Sequence, residues 1–161
     1  MINTMTNAVG KKFSEAKRAY FAGFLDADGA IMATIEKHQE KKFGFRVRVT
    51  LKITQRDKEI LKWFLDTFNV GSIRKNRTTY DWITRNQSDI NLLLDLLKPY
   101  LKAKNKQANL AKKIINTKIS SKEDLLECAQ LADALSRFNV RSKNRRSNFA
   151  SMIQENFSCN D

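Results

Sequence analysis

The segment Phe21-Ala22-Gly23-Phe24-Leu25-Asp26-Ala27-Asp28-Gly29 occurs once and constrains the chain more than any other stretch. Its spacing predicts a helix over Glu15–Asp26, with Ser14 as N-cap. Ala19, Gly23 and Ala27 recur at every fourth position and so share one helical face. Side chains this small let a second helix backbone approach closely. Tyr20 with Phe24, and Phe21 with Leu25, form bulkier stripes beside that face, suited to a core. Gly29 is expected to end the helix through a positive φ, leaving Asp26 and Asp28 on a tight turn. Two such helices side by side would bring two Asp28 carboxylates together at helix C-termini, where the backbone already carries partial negative charge. A divalent cation with oxygen ligands, Mg²⁺ or Ca²⁺, would relieve the repulsion. Taken alone, the same Asp-Ala-Asp-Gly also reads as ordinary turn residues before a glycine. An EF-hand loop is excluded, because a glycine in its sixth position would put Phe24 and Ile35 where the first and last ligands belong.

Downstream, Ala30–Lys37 alternates, with Ile31, Ala33 and Ile35 on one face and Met32, Thr34 and Glu36 on the other. After a polar turn over His38–Lys42, Phe43–Thr54 alternates more cleanly still. Phe43, Phe45, Val47, Val49, Leu51 and Ile53 line one face of a long half-buried strand. The other face carries Arg46, Arg48 and Lys52 with Thr50 and Thr54, and no acid of its own. Such a ribbon suits phosphate and guanine-edge contacts; a solvated basic face is the alternative.

Asp57–Phe68 reads as a helix, Ser72–Lys75 and Thr79–Thr84 as a hairpin around Asn76-Arg77, and Asp89–Lys98 as a helix capped by Ser88 before Pro99. Further helices are expected over Ala103–Thr117, over Ser121–Phe138 behind a Ser121–Asp124 capping box, and over Asn148–Phe157. The basic loop Arg141–Arg146 reads as phosphate-contacting or as a solvated linker. The order is αββαββα with C-terminal helices, an α+β class with one sheet face free.

The net charge of +13 over 161 residues points to a polyanionic partner, nucleic acid before an anionic membrane surface. No apolar run approaches the roughly 18 residues of a membrane span. Met1–Lys12 lacks an apolar signal core and the Arg-rich look of a transit peptide, so synthesis inside an organelle is the expectation. Cys128 and Cys159 lie in unlike contexts and suggest neither a pair nor a zinc site, which suits a reducing compartment. His38 is the single histidine, too few for a histidine metal cluster or a Ser-His-Asp triad.

The Phe21–Gly29 run resembles the signature of the LAGLIDADG homing endonucleases. The resemblance extends through Thr54-Gln55, Asn69-Val70-Gly71-Ser72-Ile73 and Leu101–Asn109, and so covers most of the chain. It is closest to the single-motif, homodimeric branch of green-algal chloroplast intron enzymes. It implies an αββαββα core whose curved four-stranded antiparallel sheet lies in the DNA major groove. An N-terminal arm over 1–13, an endonuclease domain with helical extension over 14–138, and a basic loop, short helix and tail over 139–161 follow. The implied activity is metal-dependent double-strand cleavage of a long near-palindromic DNA site, leaving short 3′ overhangs. Mg²⁺ is the expected cofactor; Mn²⁺ is expected to support cleavage, and Ca²⁺ to bind without supporting it.

The resemblance assigns catalysis to Asp28, Gln55, Lys104 and a third basic group, Lys58 with Lys62 as the other choice. Asp28 and the Ala27 carbonyl are the implied metal ligands. Met32, Thr34, Glu36, His38, Arg46, Arg48, Thr50, Lys52, Arg74, Asn76, Asp81 and Ile83 are the implied base-reading positions. Arg141, Lys143 and Arg145 are assigned to phosphates. Ala19, Gly23, Asp26 and Ala27 are assigned to the dimer interface, Asp26 as a cap or hydrogen-bonding group at the helix ends. A cleavage-silent DNA-binding regulator or an intron RNA maturase is the alternative in another class. A basic ribosomal-type protein would explain the charge but not the small-residue face or the paired acids.

Overall fold

The computed structural model describes residues 13–139 and 146–159. In chain order they form α1 (Glu15–Asp28), β1 (Gly29–Lys37), β2 (Phe45–Gln55), α2 (Lys58–Phe68), β3 (Ser72–Asn76), β4 (Thr79–Thr84), α3 (Gln87–Leu97), a 3-10 turn (Lys98–Tyr100), α4 (Asn105–Asn116), α5 (Lys122–Asn139) and α6 (Phe149–Ser158). The four strands form one sheet in the order β1-β2-β4-β3. The expected αββαββα order with C-terminal helices is the observed one. Among the described residues no helix is long and apolar enough to cross a membrane, and neither Cys128 nor Cys159 forms a disulfide.

The described residues group into two compact units. The first holds residues 13–30 and 51–105. Its core gathers Phe21, Ala22 and Leu25 of α1, Leu61, Phe64 and Phe68 of α2, Trp82 of β4, and Ile90, Leu94 and Leu97 of α3. Phe21 is its centre, 4.5 Å from Phe64 and 5.4 Å from Trp82 between ring centroids. Phe13, expected in the N-terminal arm, is buried and packs on Phe68. β2 and β4 pair antiparallel from Leu51 opposite Thr84 to Gln55 opposite Tyr80. β3 and β4 close a tight hairpin with Asn76 opposite Thr79, one residue later than the expected turn; Arg77 takes the left-handed φ of 53° there.

Helix ends follow side-chain chemistry. Ser14 accepts from the Lys17 amide at 3.2 Å, and Asp57 accepts from the Glu59 amide at 2.8 Å. Asn86, not Ser88, caps α3, accepting from the Asp89 amide at 3.1 Å. An Asn cap does the same work two residues earlier. Asn69 ends α2 in the left-handed region, and Gly71 follows at φ 88°, where an added Cβ would meet the Trp82 ring at 2.8 Å.

The second unit holds residues 31–50 and the described residues from Lys106 onward. Ile31, Ala33 and Ile35 are buried while Thr34 and Glu36 are exposed, as the alternation predicts. Ser121 and Asp124 form the reciprocal capping box, Asp124 N–H to Ser121 Oγ at 3.1 Å and Ser121 N–H to Asp124 Oδ2 at 2.9 Å. Asp133 of α5 then accepts from the Phe149 and Ala150 amides at 2.7 and 3.1 Å, fixing the start of α6.

Candidate active site and nucleic-acid interface

α1 does not stop at a turn after Asp26. It continues through Asp28 and passes straight into β1. Gly29 has an extended backbone, φ −90° and ψ 167°, so positive φ is not the reason for glycine. Space is the reason: a Cβ there would lie 2.5 Å from Leu25 Cδ1 and 2.7 Å from the Leu25 carbonyl oxygen. The tight junction leaves Asp26, Ala27 and Asp28 in the last helical turn, where backbone carbonyls lack helical donors.

Asp28 is the exposed end of this turn. Gln55, the last residue of β2, donates its side-chain amide to Asp28 Oδ2 at 2.8 Å. Asp26 serves a different purpose. Its Oδ2 accepts from the Lys102 and Ala103 amides at 2.7 and 3.1 Å, and its Oδ1 from the Lys104 amide at 2.9 Å. The Lys104 ammonium donates to the Asp26 main-chain carbonyl. The helix expected from Ala103 therefore begins only at Asn105, because residues 102–104 wrap the Asp26 carboxylate instead.

Gln55 thus meets Asp28, and Lys104 meets Asp26, two residues earlier in the same helical turn. Lys58 stands at the start of α2 with its ammonium 5.8 Å from the centre of the Tyr80 ring. Tyr80 lies directly across the sheet from Gln55. Lys62 is exposed one turn further along α2. The placement of Tyr80 therefore links Lys58, of the two alternatives, to the Gln55 end of the sheet. Tyr80 is legible in the sequence only as a side chain of the second hairpin strand; the strand register reveals its position opposite Gln55.

Among the described residues no three His, Cys, Asp or Glu side chains converge as a metal-binding group. The Asp28 carboxylate and the last-turn Ala27 carbonyl are hard oxygen donors that fit Mg²⁺ or Ca²⁺. Two such donors fill only part of the roughly six-oxygen shell that either ion takes.

The basic face of β2 is less free than its own sequence suggests. Glu36 of β1 lies 3.9 Å from Arg46 and 3.5 Å from Arg48. The Arg46 guanidinium also meets His38 Nε2; arginine can only donate, so that nitrogen accepts. Further along the same strand, Asp81 of β4 receives Lys52 at 3.0 Å, Thr54 at 2.6 Å and Asn76 at 3.0 Å. Burial pushes the Asp81 carboxyl up, but the Thr54 and Lys52 hydrogen bonds, the Lys52 charge and the Asn76 hydrogen bond outweigh it. The result lies below the usual carboxylate range.

Arg74 and Asn76 are exposed and Ile83 is half-buried. Met32 and Thr34 line a recess of about 180 Å³ with Leu135, Ser136 and Asn139 of α5. Thr50 departs from expectation: it is only 6 % exposed. A short side chain between Arg48 and Lys52 on one face is readily covered by its longer neighbours. Arg141, Lys143 and Arg145 lie outside the described residues.

Ala19, Gly23 and Ala27 of the small-residue face are all exposed. A Cβ added at Gly23 would meet nothing within 4 Å. Beside them Tyr20 is 48 % exposed rather than buried, although its ring touches Phe24, Trp63 and Phe64.

The family model described as LAGLIDADG endonuclease matches residues 21–116. DNA endonuclease I-CreI of Chlamydomonas reinhardtii is 35% identical over 142 residues, covering 84% of this chain and 85% of the relative. DNA endonuclease I-CvuI of Chlorella vulgaris is 33% identical over 124 residues, covering 74% and 77%. The crystal structure of I-CvuI with the I-CreI target in 2 mM Mg, its DNA not cleaved, superposes with a TM-score of 0.82 at 29% identity. That match covers 90% of this chain and 94% of the other. I-CvuI with its own target in 2 mM Ca gives a TM-score of 0.78 at 30% identity, covering 87% and 91%. This chain belongs to the LAGLIDADG endonuclease family, in its single-motif branch.

Proposed function

We propose that the protein is a divalent-metal-dependent homing endonuclease that cuts both strands of a specific DNA site as a homodimer. The observation that carries this reading is the Asp28–Gln55 pair at the end of α1, with Lys104 held on Asp26 of the same helical turn. The dimer is supported by the outward small-residue face. Among the described residues nothing lies within 4 Å of a Cβ at Gly23, whereas a closely approaching helix from a second copy would require the glycine. A two-fold pair reads a near-palindromic site. Arg46 and Arg48 of one unit, and Lys52, Arg74 and Asn76 of the other, are each assigned to major-groove contacts, where arginine and lysine read guanine.

Asp28 and the Ala27 carbonyl of each subunit would hold Mg²⁺ together with phosphate oxygens. The bound ion would lower the pKa of water and offset charge on the phosphate. Gln55 holds the Asp28 carboxylate in one orientation through its amide. Lys104 and Lys58 bring positive charge to where the phosphoryl oxygens gain negative charge as water oxygen bonds to phosphorus and the bond to the departing sugar oxygen breaks. The attacking water gives up a proton to solvent, the departing oxygen takes one from solvent, and staggered cuts on the two strands leave short 3′ overhangs. Mn²⁺ is expected to support cleavage, and Ca²⁺ to support binding only. An organellar intron is the proposed genetic setting.

The test is selection from a randomised DNA library with Mg²⁺. Enrichment of one near-palindromic cleaved site supports the reading. Tight selection of one sequence without cleavage would replace it with a DNA-binding regulator.

A further inference from the structure

We infer that Asp26 is a positioning residue for Lys104, acting within its own subunit through the loop of residues 102–104. The inference rests on the proposed nuclease function.

Three consecutive backbone N–H groups, from Lys102, Ala103 and Lys104, converge on one Asp26 carboxylate. Charge-assisted hydrogen bonds of this kind are about twice as strong as neutral ones. The loop is pinned at both ends as well. Leu101 before it is 1% exposed, and the Asn105 side-chain amide after it donates to the Leu101 carbonyl at 3.4 Å. Lys104 is therefore held twice by the same residue, by its amide on the carboxylate and by its ammonium on the main-chain carbonyl.

This arrangement answers two physical problems. A lysine carries its charge on a flexible stem with many rotamers; anchoring both ends to Asp26 sets where the ammonium sits relative to Asp28, two residues along the same helical turn. An acid this near a DNA phosphate would also repel it. Three donors on the carboxylate offset that charge without a counter-ion and leave Asp28 as the exposed acid of the pair. The two motif aspartates thus divide their roles: Asp28 faces outward, and Asp26 builds the seat of a cation.

The experiment is a double-mutant cycle on single-turnover cleavage of the selected site with Mg²⁺, using the parent, Asp26→Asn, Lys104→Ala and the double variant. DNA affinity is measured alongside without metal. Asp26→Asn keeps the shape and one acceptor but loses the charge. It is expected to slow cleavage about ten- to hundredfold and to leave affinity within about twofold of the parent. In the Lys104→Ala background it is expected to cost no more than about twofold further, a result that a general structural role would not produce. Cleavage by Asp26→Asn at the parent rate, or an equal factor in both backgrounds, overturns the inference. If Asp26→Asn does not fold, Asp26→Glu, which keeps the charge and shifts the acceptor by one methylene, carries the same cycle with the same expectations. A parent that cuts no site removes the proposed function and this inference together; a parent that cuts no faster than Asp26→Asn removes the inference alone.

Discussion

Gln55 and Asp28 join the end of β2 to the end of α1 through one 2.8 Å hydrogen bond. The Gln55 amide donates to Asp28 without adding a charge beside it. Gln55→Ala removes the donor, and cleavage is expected to fall by about a hundredfold with little change in DNA affinity. Gln55→Glu sets a carboxylate against a carboxylate, and a larger loss is expected. Single-turnover rates beside binding isotherms check both.

The outward glycine gives a clean separation of folding from assembly. A Cβ at Gly23 meets nothing within 4 Å among the described residues, and replacing a mid-helix glycine gains about 0.5–1 kcal/mol of helix stability. Gly23→Leu should therefore keep or raise monomer stability while abolishing the dimer. Light scattering should give a mass near 18.6 kDa rather than twice that value, and cleavage should be lost.

Asp81 gives a pH signature. Its folded pKa is lowered by Thr54, Lys52 and Asn76 against the opposing effect of burial. The folded state therefore binds fewer protons than the unfolded chain. The stabilisation is present above the unfolded value of about 3.9 and is lost as pH falls through the lower folded value. Asp81→Asn is expected to cost about 1.5–3 kcal/mol near neutrality, and the gap from the parent should shrink in acid. Urea unfolding of both proteins at neutral pH and near pH ~3 measures it.

The helix-to-strand junction should be intolerant of even one methyl group. Gly29→Ala places a Cβ against the Leu25 side chain and carbonyl. It is expected to destabilise the fold by about 1–3 kcal/mol and, by displacing Asp28, to slow cleavage as well. Thermal melts and cleavage rates report the two effects.

What was legible in the chain was whatever short-range periodicity encodes. The small face of α1, the alternation of β1, the Ser121–Asp124 box and the order of elements all appear in the structure as expected, whereas β2 alternates only in part, with Thr50 buried and Val47 half-buried. Contacts made across strands or over long separations were not legible. Glu36 and Asp81 sit among the β2 cations only because of strand pairing, so β2 read alone looked free of acid. The Asp26 clamp joins residues 76 apart, and no local pattern signals that three amides will converge on it. Gly29 was read by its conformational freedom, whereas its value lies in the space left beside Leu25. The contact of Lys58 with Tyr80, opposite Gln55, is visible only in the strand register.

The central claim is that Asp28 is the carboxylate around which DNA cleavage is organised. The most direct measurement compares the parent with Asp28→Asn on the selected site in Mg²⁺, following both cleavage and binding. Asp28→Asn is expected to bind the site as tightly as the parent or more tightly, and to fail to cut it. Cleavage by Asp28→Asn at a rate near that of the parent would contradict the account.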